Sequence, residues 1–166
     1  MNSPENDTKR RITLERTYAC PIDRMWDLWT TSAGIEAWWG PEGFEVKVLK
    51  LELRKGGALH YTMTATAAPQ VEFMKNAGLP LTSEAHATFQ EITKPHRLAY
   101  DSLIDFVPGV APFTIANVIE LSATDDGVRV VSTFDALHDE VWTQRLVMGR
   151  ESQLDKLGKL IESQGA

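Results

Sequence analysis

The chain has 166 residues, is 43% hydrophobic and 24% charged, and carries a formal net charge of -6 with a pI of about 5.2. That length favours one domain with a real core, and the acidic balance argues against non-specific nucleic-acid binding, which needs a basic field. The single cysteine, Cys20, excludes an internal disulfide and a cysteine-cluster zinc site.

Met1 to Arg11 holds the basic run Lys9-Arg10-Arg11 and no apolar run. It reads as a flexible N-terminal tail without a secretory signal, followed by one domain over residues 12–166. No later stretch is apolar for long enough to span a bilayer, so a reducing, cytoplasmic location is the expectation. From Ile12 to Cys20 the residues alternate, with Ile12, Leu14, Arg16 and Tyr18 on one parity, which predicts a strand. Pro21 ends it and suits the first turn of a helix. Pro21 to Thr30 then places Ile22, Met25, Trp26 and Trp29 at helical spacing. A second short helix, Ser32 to Trp39, follows with Ser32 as its expected N-cap, and Gly40-Pro41 stops it.

Strand patterns dominate the middle of the chain. Phe44 to Arg54 and Ala58 to Ala65 read as a hairpin across Lys55-Gly56-Gly57. Four more strands are predicted over Glu84–Thr93, Leu98–Asp105, Phe113–Ala123 and Val128–Asp135, the last two joined by the turn Asp125-Asp126-Gly127. Between them lies residues 67–83, in which Pro69 to Asn76 has the composition for two helical turns. This insertion is read either as a lid across one end of the sheet or as a packed surface loop. Asp139 to Ser163 lacks proline and predicts one long helix. The order is an α+β plan: one curved antiparallel sheet folded round one C-terminal helix.

That last helix carries a defect. At about 100° per residue, Trp142, Leu146, Leu157, Leu160 and Ile161 share a face, yet Arg150 and Gln153 fall inside the stripe and Gly149 sits at its edge. An unpaired buried guanidinium is costly, so the middle of the helix is expected to face a partly hydrated cavity. There Arg150 would hold a carboxylate or phosphate, unless it snorkels to the rim or pairs with Asp101 or Glu120.

The runs Cys20-Pro21-Ile22-Asp23-Arg24-Met25-Trp26-Asp27-Leu28-Trp29-Thr30, Trp38-Trp39-Gly40-Pro41, Gly56-Gly57 and Gly149–Leu157 resemble the signature of the domains named after the activator of the heat-shock chaperone (Hsp) ATPase. These belong to the SRPBCC, or START-like, superfamily. The resemblance covers residue 12 to the C-terminus. It implies a helix-grip fold, with an antiparallel sheet wrapped round the C-terminal helix and a deep cavity between them. Many relatives bind an apolar or amphipathic small molecule there, and some in the wider superfamily are cyclases, hydratases or hydrolases. Two features depart from the family pattern. Arg150 stands where relatives often carry tryptophan, and the segment 67–83 exceeds the common short turn.

Parity and wheel position, with the resemblance, give an expected ligand-binding set of Trp39, Tyr61, Met63, Tyr100, Asn117, Phe134, Leu146, Arg150 and Gln153. For Trp38 and Trp39 two alternatives stand: both pack in the core as a signature of the fold, or one packs there and the other flanks the cavity mouth. The histidines His60, His86, His96 and His138 form no His-x-x-x-His or His-Glu-x-x-His pattern, so no metal site is expected. No nucleophile elbow, phosphate loop or dinucleotide fingerprint is present, and no cofactor is expected. The first functional reading is therefore binding of a small hydrophobic or amphipathic molecule, an anionic one being among the candidates. A second is a cofactor-independent enzyme using Arg150 for an anion and His60, His86 or Asp101 for protons. A third is a co-chaperone-like interaction module. A homodimer is compatible with the sequence; nucleic-acid and membrane partners are not expected.

Overall fold

A computed structural model describes residues 10–164, in the order β1 (Arg11–Tyr18), α1 (Ile22–Thr30), α2 (Ser32–Trp38), β2 (Phe44–Leu51), β3 (Ala58–Ala65), α3 (Ala68–Asn76), β4 (Thr82–Thr93), β5 (Arg97–Ile104), β6 (Phe113–Ala123), β7 (Val128–Asp135) and α4 (Glu140–Ser163). The strands form one sheet in the order β1-β7-β6-β5-β4-β3-β2, and every neighbouring pair is antiparallel. With α1 and α2 after the first strand and α4 on the concave face, this is the helix-grip α+β arrangement. Most of the expected tail lies outside the described residues, and Arg11 already belongs to β1. Among the described residues no helix is long and apolar enough to cross a membrane.

Local chemistry explains the elements. Pro21 sits at the N-cap of α1 with φ -65°, where its missing N–H costs nothing. The cap of α2 is Thr31 rather than the expected Ser32: its Oγ1 accepts from the Gly34 amide at 3.0 Å. α2 ends one residue early. Trp39 is extended (φ -65°, ψ 156°), and Gly40 follows with φ +86°, a conformation that favours glycine. Asp139 caps α4 by accepting from the Trp142 amide at 2.8 Å.

β6 and β7 keep the expected bounds, because their alternation is clean and their turn is tight. β2 stops at Leu51 instead of Arg54, and β4 starts at Thr82 instead of Glu84. Two register shifts, between Val48 and Lys50 and between Phe89 and Glu91, mark bulges that help curve the sheet. The sheet also parts locally. β4 pairs with β3 from Thr82 onward, but its pairing with β5 begins only at Ala87 opposite Ser102.

The concave face is set by alternation. Leu98 and Tyr100 on β5, Ile115 and Ile119 on β6, and Val128, Val130 and Phe134 on β7 are buried, as are Met25, Trp26 and Ile35 of the short helices. Each such aliphatic side chain contributes about 1.5–3 kcal/mol on burial. α4 adds Leu154, Leu157 and Ile161.

Candidate functional site

The helix and sheet do not close on each other along their whole length. From Leu154 onward contact is tight, and Tyr18 donates its hydroxyl to the Leu154 carbonyl at 2.8 Å. Toward the N-terminus of α4 a cavity opens in two chambers that share Tyr61, Ser102, Arg150 and Gln153 on their walls. The outer chamber has a volume of about 310 Å³, the scale of a small-molecule site. Met63, Ile104, Phe106, Trp142 and Leu146 give it apolar walls, and it includes residues from both sides of the split between β4 and β5. The inner chamber holds about 40 Å³, room for a ligand head group or roughly one to three waters.

Tryptophan builds the inner chamber. Trp29 at the end of α1, Trp38 at the end of α2 and Trp39 beyond it pack edge to face, with ring centroids 4.6, 6.1 and 6.0 Å apart. Trp39 also meets Tyr61 edge-on at 5.4 Å. Trp38 is satisfied, since its Nε1 donates to the Leu28 carbonyl at 2.8 Å. The indole N–H groups of Trp29 and Trp39 are buried without an acceptor among the described residues. An unsatisfied buried donor costs about 1–3 kcal/mol.

Arg150 reaches the same space. Its guanidinium carbon lies 4.7 Å from the Phe134 ring centroid, a cation–π contact. Among the described residues it forms no ion pair; Asp101 instead accepts from Gln90 at 3.1 Å, and Glu120 accepts from Arg97 at 3.0 Å. Neither acid expected as an alternative partner engages it. Burial pushes the Tyr61 phenol up to about 12; Tyr100 adds to that rise and Arg150 opposes it. Burial also raises Tyr100, again against Arg150. Both phenols are therefore neutral hydroxyls at ordinary pH. Tyr61, Tyr100 and Arg150 are the titratable side chains on the inner walls.

Seven of the expected residues lie on the cavity walls: Trp39, Tyr61, Met63, Tyr100, Leu146, Arg150 and Gln153. Asn117 and Phe134 do not. Asn117 points inward as its parity requires, but its Nδ2 is spent on the Tyr100 carbonyl (3.1 Å), Ser102 Oγ (3.0 Å) and the Ile115 carbonyl (3.3 Å). Phe134 is covered by Arg150. Trp39 lies at the inner end of the cavity and not at its mouth, and Trp38 and Trp39 are both buried in one cluster. The chain leaves the helix between them, so the angular separation of successive helical residues does not apply. Of the proposed proton carriers, His60 and Asp101 are off the walls and His86 is at the edge of the outer chamber. The segment 67–83 forms α3 and returns; it reaches the cavity only through Ser83.

The expected set omitted Trp29, Trp38, Ser102, Ser132 and Leu154 on the inner walls. Ser132 breaks the apolar parity of Val128, Val130 and Phe134, the signal that singled out Asn117 on β6.

The loop beneath Trp39 is gripped by one stripe of α4. Ser152 Oγ accepts from the Glu42 amide at 2.8 Å. Lys156 Nζ donates to the carbonyls of Gly40 (3.2 Å), Phe44 (3.3 Å) and Trp39 (3.5 Å). Desolvation lowers the Lys156 pKa.

Solved structures share this architecture. A protein from Chromobacterium violaceum is 21% identical, with 92% of this chain and 98% of that one covered and a TM-score of 0.75. One from Mycobacterium smegmatis is 19% identical over 95% and 94% of the two chains, with a TM-score of 0.72. The AHSA1 protein from Silicibacter pomeroyi is 16% identical over 93% and 99%, with a TM-score of 0.73. At these identities the likeness establishes the fold. No curated protein matches the chain. The family model for the activator of Hsp90 ATPase homolog 1-like proteins matches residues 19–162, most of the domain described above, and the chain belongs to that family.

Proposed function

We propose that this chain binds a small amphipathic molecule with an acidic head group in the cavity between the sheet and α4. The apolar body occupies the outer chamber, against Met63, Trp142 and Leu146. The head enters the inner chamber, where Arg150, the phenols of Tyr61 and Tyr100 and the amide of Gln153 are within its walls. One observation carries this reading. Among the described residues Arg150 has no ion pair and the buried indole N–H groups of Trp29 and Trp39 have no acceptor, and all three residues line one small chamber. Donors in that number call for an oxyanion, and charge-assisted bonds from Arg are the strong ones. Binding is favoured over acid–base catalysis because the inner walls offer two neutral phenols and a guanidinium, and no carboxylate or imidazole.

The test is a melting-temperature series on the purified chain with alkyl carboxylates, the matching alcohols and the matching amines. Carboxylates are expected to raise Tm, alcohols less, and amines not at all. Arg150→Leu is expected to abolish the carboxylate response while keeping or raising the ligand-free Tm, since it replaces a half-buried charge, without an ion pair among the described residues, by hydrocarbon. Equal responses to all three head groups, or an unchanged carboxylate response in the variant, would refute the proposal.

A further inference from the structure

A second cluster stands at the rim of the outer chamber, on the parity of β3 and β4 opposite to Tyr61 and Ala87. In the register of β3 and β4, His60 stands directly across from His86, and Glu84 is two residues before His86 on the same side of β4. The imidazole centroids of His60 and His86 are 4.2 Å apart at 69°. Glu84 Oε1 is 3.2 Å from His86 Nε2. One ligand atom from each of the three residues lies within 4.8 Å of the others.

We propose that His60, His86 and Glu84 form a binding site for a divalent transition metal, with Zn²⁺ as the ion it takes. Zinc holds imidazole nitrogen and carboxylate oxygen at about 2.0–2.2 Å, so neighbouring ligand atoms in a tetrahedron are roughly 3.3–3.4 Å apart. The Glu84–His86 separation already matches that edge. The widest gap closes with a movement of roughly 1–1.5 Å at side-chain tips, and these side chains have the freedom, since His86 is 34% and Glu84 51% exposed. Two imidazoles and one carboxylate favour Zn²⁺, Cu²⁺ or Ni²⁺ over Mg²⁺ and Ca²⁺, which prefer oxygen alone. Lys50 sits opposite His60 in the β2 register, and its ammonium lies 3.9 Å from Glu52. Three protein ligands leave a coordination position open. Because Glu84 and His86 also belong to the edge of the outer chamber, the ion would lie beside the cavity mouth. The site does not depend on what the cavity binds.

Calorimetric titration of the chelator-treated full chain with ZnCl₂ tests this. One Zn²⁺ per chain is expected, undisturbed by excess Mg²⁺ or Ca²⁺. His60→Ala and His86→Ala are each expected to weaken binding at least about tenfold, and the double variant His96→Ala/His138→Ala to leave it unchanged. A circular-dichroism melt confirms that each variant is folded. Should a variant misfold, imidazole resonances of the wild-type chain supply the same answer: Zn²⁺ is expected to shift those of His60 and His86 and to spare His96 and His138. Absence of zinc binding, competition by Mg²⁺ or Ca²⁺, or binding that survives loss of both His60 and His86 would overturn the proposal.

Discussion

The two halves of α4 face the same sheet and behave differently. In the C-terminal half, Leu154, Leu157 and Ile161 are buried where the helix packs on β1 and α2, with Tyr18 bonded to the helix backbone. In the N-terminal half, Trp142, Leu146, Gly149, Arg150 and Gln153 line open space. The strands mirror the contrast. Opposite the packed half they present Val128, Val130 and Leu121; toward the hollow half they present Ser102 and Ser132. A hollow is therefore encoded on both sides by the same substitution of chemistry, polar or missing side chains at positions whose periodicity is that of the core.

Perturbing each half sharpens the contrast. Leu157, fully buried, is expected to cost about 2–5 kcal/mol on truncation to alanine, read by urea denaturation. Alkali tests both halves together, because all three tyrosines of the chain have phenols raised by burial: Tyr18 in the packed half, Tyr61 and Tyr100 in the hollow one. Folded values above the unfolded 10.0 mean that the protonated phenols stabilise the fold in full below pH 10. That stability drains as pH rises from 10 toward about 12 for Tyr61. Phenolate absorbance is expected to appear together with loss of ellipticity and not before it; a tyrosine that ionises at pH 10 in the folded chain would break the prediction. Leu146→Ala, at a half-buried position beside existing space, is expected to cost about 1 kcal/mol or less. Leu146→Ala matching Leu157→Ala in cost would mean the cavity is closed in solution. Gly149→Ala is expected to add about 0.5–1 kcal/mol, since a Cβ there meets nothing within 4 Å and the helix gains from alanine.

The sheet, the long helix and the inward turn of Arg150 and Gln153 were legible because period and polarity disagree visibly at those residues. Depth was not legible. Parity places Asn117 and Phe134 on the inner face, but only packing reveals that the Asn117 Nδ2 is taken up by two carbonyls and the Ser102 hydroxyl and that the Phe134 ring is covered by a guanidinium. Likewise His60 and His86 are 26 positions apart, and their meeting follows from a strand register that neither local pattern encodes. Thr31 displaced Ser32 as the cap of α2 because α1 runs to Thr30, leaving Thr31 as the hinge between the helices.

The ammonium of Lys156, bonded to three carbonyls around the tryptophan turn, has a consequence for affinity. It welds the floor of the inner chamber to α4 when the chain folds, so the ordering of that loop is settled before any guest arrives. A guest then forfeits little conformational freedom in the host, and a small head group can be held more firmly than its few contacts alone suggest.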